Sequence, residues 1–244
     1  MSWGLVMGLV FRIVTATCLA AQLLVAPAGA QVVGTPGAPS AFGLSQGSVA
    51  AALSGSYENR SRGGLRPTRF DASTSILIGF GDPVDGIGFQ LGTTITSFRD
   101  FGAAGYFTLG AHKMFQTSEH GIYSVAANLD YLAPWGESRE NKPSGNLLLS
   151  YMTGFGPRLG LVTLGVANNT RFDRRPVGVF GVGVGISDET SISFAQLGER
   201  STIGLTTAPA ALRGATLSVG LSRDWSSRTS LLTVDIGRSF NIRR

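Results

Sequence analysis

Residues 216–240 read TLSVGLSRDWSSRTSLLTVDIGRSF, and their alternation decides the fold. Leu217, Val219 and Leu221 take every second position, with Thr216, Ser218, Gly220 and Ser222 between them. After Arg223-Asp224-Trp225 the rhythm returns: Leu232, Val234, Ile236 and Phe240 against Thr233, Asp235, Gly237 and Ser239. Successive side chains of a strand point to opposite faces, so a period of two predicts two strands, each apolar on one face only. The second face is small as well as polar. Strands that turn a polar face to water usually carry lysine and glutamate there, whereas glycine, serine and threonine suit an enclosed space of limited width.

The same period runs back through most of the chain. Residues 49–57 set Val49, Ala51, Leu53 and Tyr57 against Ala50, Ala52, Ser54 and Ser56. Strands are predicted over 70–81, 87–98, 104–115, 122–131, 146–155, 160–168 and 180–186. Their apolar faces include Ile76, Ile78 and Phe80; Phe107, Leu109 and Phe115; and Tyr123, Val125, Leu129 and Tyr131. In 180–186 the second face is all glycine, Gly181, Gly183 and Gly185, which leaves room for a large opposing side chain or for strong coiling. Residues 190–208 read either as one long strand or as a hairpin turning at Gly198-Glu199-Arg200. The count is twelve strands with the hairpin and eleven without. Only 14% of the residues are charged, and few of these fall inside strands.

Ten-residue strands with one apolar face are what a bilayer demands of a β-protein. Short links, such as 81–86 and 187–189, alternate with longer charged ones at 58–69, 132–144 and 169–176. Aromatic residues gather toward strand ends, among them Tyr57, Phe80, Phe98, Trp135, Phe155 and Trp225, where amphipathic rings favour the head-group level. On these features, and on a final strand carrying Phe240, residues 48–240 resemble the outer-membrane β-barrels of Gram-negative-type bacteria. The resemblance implies an all-β, closed, antiparallel up-and-down transmembrane β-barrel. Even strand numbers in that class favour twelve strands, with ten as the alternative. It further implies residence in the cell outer membrane, contact with outer-membrane lipid and lipopolysaccharide, and insertion by the outer-membrane assembly machinery. Members of the class usually end on an aromatic residue; here Asn241-Ile242-Arg243-Arg244 follow Phe240.

The first thirty residues read as an export signal. Residues 13–26 form an apolar run behind Arg12, Pro27 breaks it, and Ala28-Gly29-Ala30 is a small-x-small cleavage site. Cys18, the single cysteine, lies within that run, so the chain from Gln31 onward carries no thiol and no disulfide. Residues 31–47, QVVGTPGAPSAFGLSQG, show no period and are read as a periplasmic tail. The formal net charge is +5, and Lys113 and Lys142 are the only lysines. Arginines scattered through turns suit rims that meet anionic head groups rather than a nucleic-acid surface.

No catalytic constellation is present, and the chain is not expected to be an enzyme. Ser118-Glu119-His120 contains nucleophile, acid and base types, but as neighbours in one turn, where side chains seldom point at each other. His112 is predicted to face inward and to hydrogen-bond a neighbouring strand. Two histidines and no cysteine after position 18 offer no metal set, and no cofactor is expected. The leading reading is a porin-like or structural barrel with a narrow lumen lined by Gln90, Thr94, His112, Asn128, Asp130, Asn146 and Asp235. A second is surface binding or adhesion through external loops carrying Trp135, Arg139, Phe172, Arg174 and Arg175, a mix suited to sugar or lipopolysaccharide. A lipid-modifying enzyme and a soluble secreted β-sandwich or propeller are the remaining alternatives.

Overall fold

The computed structural model describes residues 35–60, 69–96, 101–117, 121–155, 158–168, 175–212 and 214–242. Twelve strands follow in order: β1 (Ser48–Arg60), β2 (Arg69–Phe80), β3 (Gly88–Thr96), β4 (Gly105–Thr117), β5 (Gly121–Trp135), β6 (Ser144–Phe155), β7 (Arg158–Asn168), β8 (Val177–Gly185), β9 (Thr190–Leu197), β10 (Arg200–Thr207), β11 (Ala215–Asp224) and β12 (Thr229–Asn241). Each pairs antiparallel with its neighbours in sequence, and β12 returns to β1 to close the barrel. The closing seam runs from Ser48 opposite Asn241 to Arg60 opposite Thr229. Closure leaves no strand edge, so the backbone ladder satisfies itself without disulfides or water.

The doubtful region 190–208 is a hairpin. Its turn is Gly198-Glu199, and Gly198 takes φ 57°, a left-handed conformation that costs glycine no steric strain. Twelve is therefore the count, and the alternatives of ten and eleven fall.

The two faces are inside out relative to a soluble sandwich. Ile76, Phe89, Leu109, Val125, Leu149, Leu164, Phe180, Ile192, Leu205 and Val234 are all exposed, with Ile203 at 66% and Leu221 at 60%. Among the described residues the largest fully buried side chains are Ser124, Ser150, Thr163 and Ser191. Small polar groups thus fill the interior, and a girdle of large aliphatic and aromatic groups faces outward. A surface this apolar is stable only against hydrocarbon, so the barrel is built to span a membrane.

One strand departs from strict alternation. Tyr131 is predicted on the outward face of β5 with Leu129, but the structure turns it inward. Opposite β4, Leu129 pairs with Leu109 and Leu132 with Phe107, and then Trp135 pairs with Gly105. Each step places three β5 residues against two β4 residues, the signature of a β-bulge. Tyr131 and Ala133 take φ of 56° and 42° at these bulges. The extra residue reverses parity, and Tyr131 meets Tyr106 in the interior with ring centroids 4.2 Å apart.

A larger correction concerns the segment read as a periplasmic tail. Residues 35–44 lie inside the barrel, and residues 45–47 lead from it to the start of β1. Thr35, Ala38 and Ala41 are buried, and Ala38 and Ala41 join Ala126, Leu148, Ala167, Val179 and Ala195 in a small interior apolar cluster. The predicted export signal, residues 1–30, lies outside the described residues.

Candidate functional site

The candidate site is the lumen, and its walls are shaped around the chain's own N-terminal segment. Residue 47 stands beside the seam: its N–H donates to the Gly79 carbonyl at 3.1 Å, and its carbonyl accepts from the Ile242 N–H at 2.8 Å. From there the segment crosses the interior. The Leu44 N–H donates to Gln90 Oε1 at 3.4 Å. The Ala41 N–H donates to Ser150 Oγ at 2.9 Å, and Ser124 Oγ donates to the Ala41 carbonyl at 2.6 Å. Ser150 Oγ in turn shares a 2.7 Å hydrogen bond with Thr163 Oγ1. The Ala41 backbone, with no secondary-structure partner, is thus satisfied by buried hydroxyls from two strands, one of them backed by a third, as a buried backbone requires.

Glycines in the wall make the room. A Cβ on Gly204 would lie 2.8 Å from Pro36, and one on Gly181 would lie 3.2 Å from Ala38. On the glycine face of β8, Gly181 thus accommodates the segment, through Ala38 and Thr35, rather than a large side chain from another strand.

The seven residues predicted to line the lumen all belong to strands, and the structure places them on inner faces. Gln90, Asn128 and Asn146 form one row. Gln90 pairs with Gly110, Gly110 with Asn128, and Asn128 with Asn146. Gly110 has no side chain to obstruct the row, so Gln90 Nε2 reaches Asn128 Oδ1 at 3.4 Å and Asn128 Nδ2 donates to Asn146 Oδ1 at 2.8 Å. Thr94 shares a 2.9 Å hydrogen bond with Ser75. Asp130 and Asp235 line an open cavity with Asp71. His112 is 3% exposed, and neither ring nitrogen has a hydrogen-bond partner among the described residues, contrary to the expected bond to a neighbouring strand.

That cavity has a volume of about 530 Å³. It occupies the half of the barrel away from the start of β1 and the end of β12. Its walls include Ser54, Asp71, Thr94, Tyr106, Asp130, Tyr131, Asn146, Arg200, Thr233 and Asp235, and Gly37 and Pro39 of the segment form part of its lining. Arg200 lies 3.7 Å from Asp224, so its charge is largely answered within the wall. The bulged Tyr131 and its partner Tyr106 are the aromatic part of this vestibule. Strict alternation concealed Tyr131, and only the unusual Pro134 at the end of β5 hinted at irregularity there.

Of the five residues predicted for an external binding surface, Trp135, Arg139 and Arg175 are among the described residues. Trp135 ends β5 instead of lying in a loop; its Nε1–H donates to the Gly102 carbonyl at 3.0 Å, and its ring packs 5.5 Å from that of Phe107. Arg139 is exposed on the short 3-10 helix Gly136–Glu140. Arg175 is exposed before β8. Phe172 and Arg174 lie outside the described residues, as does the Ser118-Glu119-His120 triplet.

With this geometry in hand, the class of protein is defined: a closed twelve-stranded barrel of the outer-membrane type. Its fold is that of solved porins. The KdgM porin matches with a TM-score of 0.50 at 9% identity, over 78% of this chain and 99% of that chain. A second structure, the KdgM porin in complex with disordered oligogalacturonate, gives 0.51 at 10% identity, over 78% and 99%. The COG4313 outer membrane channel from Pseudomonas putida F1 gives 0.51 at 12% identity, over 81% and 97%. No protein-family model matches the chain, and no curated protein does.

Proposed function

We propose that this protein is a porin-like channel of the cell outer membrane whose lumen is closed by residues 35–47 in the structure described. One observation carries the reading: a polar vestibule of about 530 Å³ has the N-terminal segment in its lining, and that segment is hydrogen-bonded across β3, β5 and β6. Twelve strands leave a bore wide enough for a narrow water path, where eight would be filled by side chains. Here residues 35–47 fill part of it rather than the wall itself. The reading includes cleavage of residues 1–30 on export, insertion by the assembly machinery, and outer-membrane lipid and lipopolysaccharide around the apolar girdle. The half of the barrel holding the vestibule would face outward.

The cargo is small and polar. Oligogalacturonate, present with the KdgM porin, is not carried over. Among the described vestibule residues Asp71, Asp130 and Asp235 are acidic, and the Arg200 guanidinium already faces Asp224. An acidic sugar meets repulsion there.

Reconstitution into liposomes tests both points. The full chain should support slow swelling, and a variant lacking residues 31–45 should support fast swelling, with arabinose entering ahead of galacturonate. An unboiled gel shift checks that the variant's barrel is closed. A closed variant that admits arabinose no faster than the full chain would overturn the reading.

A further inference from the structure

We propose that His112 makes the seating of residues 35–47 sensitive to protons, so that acid releases the segment from the lumen. The inference rests on the seat described above, and it stands or falls separately from transport.

The ring of His112 is held between a strand and the segment. A Cβ on Gly88 of β3 would lie 2.6 Å from the ring Cε1 and 2.7 Å from Nε2. A Cβ on Gly43 of the segment would lie 2.6 Å from Cε1 and from Nδ1. Both nitrogens are buried and without partners among the described residues. The wall on the Nε2 side is fixed by the β3–β4 ladder, whereas the wall on the Nδ1 side is the segment.

A neutral imidazole buried there leaves one donor and one acceptor unmet. An imidazolium leaves two donors and a full charge unmet. The elements packed against the ring supply no counter-ion. Neither β3 nor residues 35–47 contain a titratable side chain. β5 opposes the ring with Ala126, and its single carboxylate, Asp130, belongs to the vestibule lining. In the 81–87 turn Asp82 and Asp85 are exposed, and Asp82 Oδ1 accepts from the N–H groups of Val84 and Asp85. Lys113, next along β4, donates to the Val84 carbonyl at 2.8 Å and adds positive charge nearby. Glu119 and His120 lie outside the described residues.

A buried charge without a partner is discharged or hydrated rather than tolerated. Hydration here requires the segment to move, because the other wall is a paired strand. Proton and segment therefore compete for the same ring. Release is a modest step, since the segment's grip consists of a few hydroxyl and amide hydrogen bonds and the packing of the small Ala38 and Ala41 side chains rather than a ladder.

The test places a nitroxide at Pro39→Cys, in a Cys18→Ser background, on the full chain refolded in detergent. Its line shape is read at pH 7.5 and pH 5.0, on either side of the ordinary imidazole range near about 6.5. The restricted spectrum at pH 7.5 should give way to a mobile one at pH 5.0, the mobile population rising on the order of tenfold, since one proton can shift it by at most tenfold per pH unit. His112→Gln and His112→Phe should stay restricted at both values while retaining the unboiled gel shift of a closed barrel. An unchanged line shape in the His112 chain overturns the inference, as does the same acid transition in both variants. A barrel that never conducts but shows the His112-dependent transition would refute the channel reading and leave this one standing.

Discussion

Gly204 shows how much a single missing side chain decides. It sits on the inner face of β10, where a Cβ would come within 2.6 Å of Ser193 Oγ and 2.8 Å of the Pro36 ring. Gly204→Val is expected to leave the strand intact, because valine favours strands, and to push residues 35–38 off the wall. The expected readout is a gain of protease cleavage within the N-terminal segment with an unchanged gel shift. Gly178→Ala is the matched control, since nothing lies within 4 Å of a Cβ there. Sequence pattern marked the small inner residues as lumen-facing but could not say what the space was for. Gly, Ser and Thr on an inner face are compatible with water, with side-chain packing or with a chain segment, and the three differ only in what comes from elsewhere in the sequence.

Strands were legible as elements because lipid on one side and a narrow lumen on the other impose a period of two along their whole length. Even the β9–β10 hairpin, the weakest stretch, carried its turn at Gly198. The upper part of β5 was not legible. Its two extra residues are absorbed by bulges whose cost falls on Tyr131 and Ala133, both at positive φ. An L residue in that region is disfavoured by about 1 kcal/mol or more. Ala133→Gly should therefore raise the free energy of unfolding in detergent micelles by about 1 kcal/mol, read as a higher urea midpoint. No gain would mean that Ala133 is not strained. The compensation for the bulges is visible: they bring Tyr131 onto Tyr106 in the vestibule and let Trp135 close the rim against Phe107 and Gly102.

At the scale of the molecule, the outward girdle separates a membrane barrel from a water-soluble β-protein. Leu164 is 50% exposed at the centre of β7. In a soluble protein Leu164→Arg at such a site would be close to neutral. In a bilayer an arginine near the midplane costs about 2–4 kcal/mol. Reversible folding into lipid vesicles should show a loss of that size, and a change below about 0.5 kcal/mol, the usual range for a surface substitution, would contradict the membrane assignment.

Residue order alone determined that the chain is a ladder of antiparallel strands and, outside the bulged end of β5, which face of each turns outward, because hydrocarbon outside and a confined polar space inside write themselves into neighbouring positions. Tertiary structure decided where residues 35–47 lie and what His112 touches. Those contacts join positions far apart in the chain, Ala41 to Ser150 and Gly43 to His112, and an aperiodic run of Gly, Pro, Ser and Ala carries no local signal of which wall will receive it.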